Sequence, residues 1–252
     1  MNNQKFDRGV GLIYKYYKLN HSSPSYWRLI LKPICASTEI ELSNWIAEKP
    51  VKKNKPIAIF SSCQKFGQGQ AGRTWYAPKG GVWVSAAIKR KGSCEHNSQL
   101  YGLAVALALV ERIERIGVNV KIKWPNDLLV DGQKLAGILP RLIFRGGKLR
   151  LLRVGVGLNV LNNVPKDGIS LKQIIGDKTM NINFWSSEVL CAIDRSLDLL
   201  DNKHFLCSQI EKRLWSRQYI DKKTRYQWDI KGIDSAGRLI LFNDGQEKVL
   251  ST

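Results

Sequence analysis

The 252-residue chain has no C-x-x-C pair, no cluster of histidines and no apolar run long enough to span a bilayer, and each absence removes a class of protein. Its five cysteines, Cys35, Cys63, Cys94, Cys191 and Cys207, are odd in number and widely spaced. That speaks against a disulfide framework and for reduced thiols, packed as small buried hydrophobes, in a cytosol. His21, His96 and His204 are equally scattered, so the sequence offers no metal-ligand set. The longest apolar helix candidate, near 100–110, is shorter than a membrane span, and the first residues lack the basic-then-apolar layout of a signal peptide. A cytoplasmic protein with no membrane partner is the expectation. Gly/Ser and Gln/Asn tracts are missing, so a folded chain is expected throughout, and no internal repeat is evident.

Acidic residues are also scarce, 21 against 40 basic ones, for a formal charge of +19. Such an excess attracts polyanions such as RNA, nucleotides or an acidic protein, although solubility alone accounts for it equally well. There is no RNP signature, zinc module or helix-turn-helix, and Lys and Arg are spread along the chain. A dedicated nucleic-acid protein is therefore the minor reading. The length suits one large domain, or one with a small appendage.

Residues 1–33 are basic and aromatic with no clean period, and a short strand is expected over 29–34. Thr38 and Glu41 have the spacing of a capping box, opening a helix that carries Ile40, Leu42, Trp45 and Ile46 towards Pro50. A buried strand is expected over 57–60 and another over 82–86. Residues 100–116 are apolar almost all the way round a helical wheel, which places that helix in the core, with Gly117 ending it. A meander follows, with strands over 118–123, 128–130, 134–144 and 149–160 and turns at Asp131-Gly132 and Arg145-Gly146-Gly147. One more amphipathic helix is expected over 184–200, then short strands over 226–233, 238–242 and 248–250. The fold class is thus α+β: a mixed, largely antiparallel sheet packed with helices, plus a small C-terminal β domain.

Gly67-Gln68-Gly69-Gln70-Ala71-Gly72 has the G-x-G-x-x-G spacing of a dinucleotide fingerprint. That fingerprint needs a helix opening at its last glycine. Here Pro78 and Gly80-Gly81 follow closely and interrupt any helix, so these glycines serve another purpose. Glycines let backbone N–H groups approach an anion, and this loop carries Arg73 and two aromatics. Three more stretches stand out: Lys123-Trp124-Pro125-Asn126-Asp127, Lys134-Leu135-Ala136-Gly137-Ile138-Leu139, and Gly155-Val156-Gly157-Leu158-Asn159-Val160. Taken singly, Lys123 and Asp127 read equally as a surface pair, Lys134 as a turn residue, Gly155 and Gly157 as a bulge, and Trp75 and Trp124 as core aromatics.

Taken together, in this order, they resemble the biotin protein ligase (holocarboxylase synthetase) family. Its Ser-Thr pair, Q-x-x-G-x-G-x-x-G-R-x-W loop, K-W-P-N-D box, K-L-A-G-I-L strand and G-x-G-x-N strand match residues from 37 to 159. A weaker similarity over 232–241 looks like that family's SH3-like barrel. The resemblance implies an N-terminal extension over 1–33, a class II synthetase-like catalytic domain over 34–205 and an abbreviated SH3-like domain over 206–252. It implies a biotin-[acetyl-CoA-carboxylase] ligase that makes biotinyl-5'-AMP from biotin and ATP, with Mg2+. The biotin would then pass to a lysine of the biotin carboxyl carrier domain of acetyl-CoA carboxylase. The implied catalytic residues are Lys134, Asp127 and Arg73. Biotin would be held by Ser37, Thr38, Gln64, Gly67, Gln68, Gly69, Gln70, Trp75, Lys134, Gly137, Gly155 and Gly157, and the nucleotide by Arg73, Trp75, Lys123, Asn126, Lys134 and Asn159. Lys134 would hold the biotin carboxylate and α-phosphate, with Trp75, Trp124 and the Gly155/Gly157 strand walling an apolar slot. Asp127 would orient the incoming lysine and assist its deprotonation. The glycine loop is expected to be mobile when empty and to order over the ligand, excluding water from a hydrolysable intermediate.

The chain departs from that pattern in three places. Gln68 and Gln70 stand where the family usually has arginines, and bring neither charge nor a guanidinium fork. A less tightly held adenylate is expected unless neighbours such as Lys65 and Lys79 compensate. Glu39 stands where asparagine is common after Ser-Thr. The 36 residues before Ser37 are too few for the winged-helix domain of some members, so no DNA partner is expected; a homodimer is left open. The rival enzyme is a lipoate or octanoate ligase or transferase, usually marked by an R-R-x-S-G-G-G stretch that is not found here. The rival from another class is a basic nucleic-acid-binding protein without catalysis.

Overall fold

The computed structural model describes residues 3–21, 24–53, 55–90, 98–176, 181–221 and 223–251, so Cys94 and His96 lie outside the described residues. A seven-stranded sheet organises the chain, in the order β1 (Arg28–Lys32), β2 (Ile57–Ser61), β5 (Val82–Lys89), β9 (Lys148–Leu158), β8 (Gln133–Arg145), β7 (Asp127–Val130), β6 (Lys121–Lys123). Only β1 and β2 pair in parallel; every other neighbour is antiparallel. The Asp131-Gly132 and Gly146-Gly147 turns that join β7 to β8 and β8 to β9 sit in left-handed backbone, as tight hairpins between right-twisted strands require.

Alternation along the strands sorts the two faces. Val154, Val156 and Leu158 of β9 join Val84 and Ala86 of β5 in the main core. Helices α3 (Ser98–Glu114), α5 (Ile182–Asp201) and α1 (Asn3–Asn20) cover that face, with α3 buried round nearly its whole circumference. The opposite face presents Ser85 of β5 and Gly155 and Gly157 of β9. Helix α2 (Thr38–Glu48) covers part of it over a second cluster of Leu42, Val51, Ile57, Ile59 and Ala87. Beside α2 lies the hairpin of β3 (Gln64–Gln68) and β4 (Thr74–Ala77).

Three expectations are corrected. Residues 1–33, read as having no clean period ahead of a strand over 29–34, contain helix α1; the expected strand is β1. Val10, Ile13, Tyr14 and Tyr17 recur at helical spacing, and Ile13 and Tyr17 are buried. Helix α2 is capped by Ser37, whose Oγ accepts from the Glu39 N–H at 3.2 Å, and not by Thr38, which is its first helical residue. Two adjacent hydroxyls compete for that role, and the chain stays extended through Ser37. The tail contains one more strand than expected: β10 (Gln218–Ile220), β11 (Gln227–Ile233), β12 (Leu239–Asn243) and β13 (Gln246–Leu250) form a four-stranded antiparallel sheet. It docks onto the larger unit through Leu239, Leu241 and Ile233 in the main core.

Candidate active site

The glycine-rich segment is the tip of the β3–β4 hairpin. The Gly69 N–H donates to the Arg73 carbonyl at 2.7 Å, a single tight turn spans Gln70–Gly72, and strand β4 follows in place of a helix. This geometry provides no dinucleotide cradle. It carries Trp75 back over the sheet, and the sequence has cleared a space for that indole. A Cβ on Gly157 would lie 2.6 Å from Trp75 Nε1 and one on Gly137 2.8 Å from the same ring. Gly137 and Gly157 face each other across β8 and β9, so the paired glycines form a flat seat under one aromatic. Trp83 packs edge-on against Trp75 at 6.3 Å.

Beside this seat lies a cavity of about 210 Å³. It brings together Ser37, Thr38, Gln64, Gln68, Gly69, Gln70, Arg73, Trp75, Asn126, Asp127, Lys134, Gly137, Gly155 and Gly157, contributed by six segments of chain. At one end Lys134 Nζ lies 2.7 Å from Asp127 Oδ1 and 4.9 Å from the Trp75 ring centroid. Side-chain amides on either side tie down the backbone that carries this pair. The Asn126 amide donates to the Ile138 carbonyl at 3.0 Å, and the Asn159 amide to the Lys134 carbonyl at 3.1 Å. At the other end are neutral polar groups. Gln64 Oε1 accepts from the Thr38 N–H at 2.7 Å and from its hydroxyl at 3.0 Å, and that hydroxyl lies 2.8 Å from Ser85 Oγ. Capping by Ser37 is what frees the Thr38 hydroxyl for this network.

Four of the expected residues lie outside this cavity. Gly67 lies behind the seat, where a Cβ would meet the Trp75 carbonyl at 2.4 Å. Asn159 is buried below Lys134, its oxygen accepting from Asn162 at 3.0 Å, outside this cavity and the adjoining one. Lys123 lines that adjoining cavity, about 510 Å³, with Trp124, Trp215 and Tyr219. Trp124, expected to wall the same slot as Trp75, turns away: its Nε1 donates to the Gly237 carbonyl at 2.9 Å, so it ties the C-terminal sheet to the segment between β6 and β7. Gln70, Arg73, Asn126 and Asp127 border both cavities. The sequence reading missed Ser85, whose signal is a lone hydroxyl in an otherwise apolar strand, and Arg153, whose Nη2 meets Glu39 Oε2 at 3.0 Å.

A relative from Bacillus subtilis, described as a bifunctional ligase/repressor BirA, is 30% identical over 97% of this chain and 81% of its own length. The chain belongs to the biotin protein ligase family. Residues 42–159 match the model of the biotin/lipoate A/B protein ligase family. A biotin–protein ligase 2 of Arabidopsis thaliana is 35% identical over 54% of this chain and 42% of its own length. Among solved structures, the biotin protein ligase from Aquifex aeolicus, in complex with biotin and ATP, superposes with a TM-score of 0.72 at 23% identity. It covers 88% of this chain and 95% of the other. The fold is therefore shared over most of the chain.

Proposed function

We propose that the chain is a biotin protein ligase that joins biotin to ATP and passes the biotinyl group to a lysine of the biotin carboxyl carrier domain of acetyl-CoA carboxylase. The observation that carries this reading is the Lys134–Asp127 pair, with Lys134 in a cavity floored by glycines with a neutral polar end and Asp127 bordering both that cavity and a second one lined by Lys123 and aromatics. Biotin fits the first, its ring at Ser37, Thr38, Gln64 and Ser85 and its carboxylate at Lys134. The nucleotide fits the second, with Arg73, Asn126 and Lys123 around the phosphates. The hydrogen-bonding end favours a ureido ring over the dithiolane of lipoate, which offers no N–H donor.

In the first step a biotin carboxylate oxygen attacks the α-phosphorus and pyrophosphate departs; Lys134 holds both reacting anions and offsets their repulsion. Among the described residues no group of three or more His, Cys, Asp or Glu could hold a metal. Mg2+ would enter on the triphosphate, where it would neutralise phosphate oxygens, and Asp127, the carboxylate lining the second cavity, would be the residue to hold it. In the second step the carrier lysine's neutral amine attacks the acyl carbon, AMP leaves, and Asp127 orients the amine and takes up its proton. Separating the half-reactions tests this assignment. Asp127→Asn should lower transfer to the carrier lysine roughly a hundredfold while slowing biotin-dependent pyrophosphate exchange much less. Equal losses in both assays would confine Asp127 to holding Lys134.

A further inference from the structure

Lys134 lies at the start of β8, where the ladder is irregular: the β7–β8 register shifts between Leu128 and Leu129, the latter opposite Lys134. Its backbone is held by the segment that follows β9. The Lys134 N–H donates to the Asp167 carbonyl at 2.8 Å, and its carbonyl accepts from the Ile169 N–H at 3.0 Å and from the Asn159 amide at 3.1 Å. Asn159 in turn meets Asn162, and both residues are 5% exposed. Neither lines either cavity, so their effect on the chemistry passes through Lys134. Gly80 makes room for this arrangement. Its carbonyl accepts from the Leu161 N–H at 2.7 Å, and a Cβ on it would lie 2.9 Å from the Asn162 backbone nitrogen.

The hydrogen bonds in this pair have a direction. An amide side chain has a donor end and an acceptor end, and its neighbours decide which way it faces. The Val160 N–H can only donate, and it lies 3.0 Å from Asn162 Oδ1. Asn162 Nδ2 therefore faces the other way, donating to Asn159 Oδ1 at 3.0 Å and to the Asn163 carbonyl at 3.0 Å. With its oxygen engaged in this way, Asn159 turns Nδ2 to the Lys134 carbonyl. The reverse orientation would set two oxygens against each other, buried where a lost partner is costly to replace. We infer that Asn162 is a positioning residue for the adenylation step: by orienting Asn159 it fixes the backbone from which the Lys134 ammonium reaches the two reacting anions. The inference rests on the ligase reading and deepens it. A lysine side chain is long and flexible, so where its ammonium sits depends on how firmly its own backbone is held.

Biotin-dependent pyrophosphate exchange tests this with two substitutions at residue 162 and one altered background, each on protein shown by its melting curve to be folded at the assay temperature. Asn162→Asp keeps the shape and replaces the donor by an acceptor, which turns Asn159 round and opposes its oxygen to the Lys134 carbonyl. The exchange rate should fall roughly tenfold to a hundredfold. Asn162→Ala removes the donor without reversing the polarity, so Asn159 can still face Lys134 and the loss should stay within about fivefold. A side chain that merely filled space would give the opposite order, since alanine leaves the larger void. In a Lys134→Ala background, Asn162→Asp should cost less than about twofold, because the group it acts through is gone. Asn159→Asp, which leaves Asn162 paired and presents an oxygen to the Lys134 carbonyl, should reproduce the loss and serves in place of Asn162→Asp if that variant does not fold. A greater loss for alanine than for aspartate at residue 162, an undiminished loss in the Lys134→Ala background, or full activity in Asn159→Asp would overturn the inference. Wild-type protein without biotin-dependent exchange would overturn the ligase reading itself, and this inference with it.

Discussion

At the scale of single residues, the site depends on what is missing from Gly137 and Gly157. Neither sits in left-handed backbone; each is glycine because the Trp75 indole occupies the place of its side chain. A Gly157→Ala change should therefore drive the indole off its seat, destabilise the fold by about 1–3 kcal/mol and raise the KM for biotin or ATP. Intrinsic fluorescence and exchange kinetics would register both effects; an unshifted Trp75 emission would show that the seat is not needed. The thinned G-x-G strand was legible in the sequence as a close approach, but its occupant was not. Nothing local links residue 75 to residue 157, and the contact exists only because the β3–β4 hairpin folds back over the sheet. The same holds for Glu39: its helical position could be read from the Ser-Thr-Glu run, whereas its burial between Arg153 and Gly155 depends on packing α2 against β9.

At the scale of elements, two carboxylates fix pieces that the sequence reading had treated as peripheral. Asp194, on α5, accepts from Trp27 Nε1 at 3.1 Å, from Ser25 Oγ at 3.1 Å and from the Tyr17 hydroxyl, so it holds α1 and the lead into β1 against the core. Burial pushes its pKa up, outweighing these donors. Asp194→Ala strips an acceptor from three groups and should destabilise the protein on the order of 3 kcal/mol, readable as a lowered midpoint in urea. An unchanged midpoint would free α1 from any structural role. Asp234 does the corresponding work in the tail. Partial burial pulls its carboxyl upward, but the N–H groups of Arg238 and Ala236 and the Arg238 guanidinium outweigh it and hold the pKa below the ordinary value. Its stabilisation is therefore present above an unfolded pKa of about 3.9 and is lost as pH falls through the lower folded value. The stability gap between wild type and Asp234→Asn should be open at pH 6 and close in acid. A gap independent of pH would contradict this. The turn it shapes presents the Gly237 carbonyl to Trp124 and Gln99, so the tail reaches the edge of the second cavity.

For the molecule as a whole, the α+β class, the core helix and the meander could be read from periodicity and turn residues, because those signals are local. The single parallel pair, β1 with β2, and the edge position of β1 could not, since a 24-residue excursion through α2 separates the two strands. The family motifs named in advance most of the residues that line the first cavity. They did not show that Lys123 and Trp124 face a second cavity shared with the C-terminal sheet, or that Asn159 supports Lys134 from below. The resulting picture is of two adjoining cavities that share Asp127, with Lys134 beside it in the first. Biotin-dependent exchange of labelled pyrophosphate into ATP tests that picture most directly. Wild-type protein should exchange label with biotin and not with lipoate, and Lys134→Ala should lower the rate at least about a hundredfold; exchange that needs no biotin, or that survives the loss of Lys134, would contradict it.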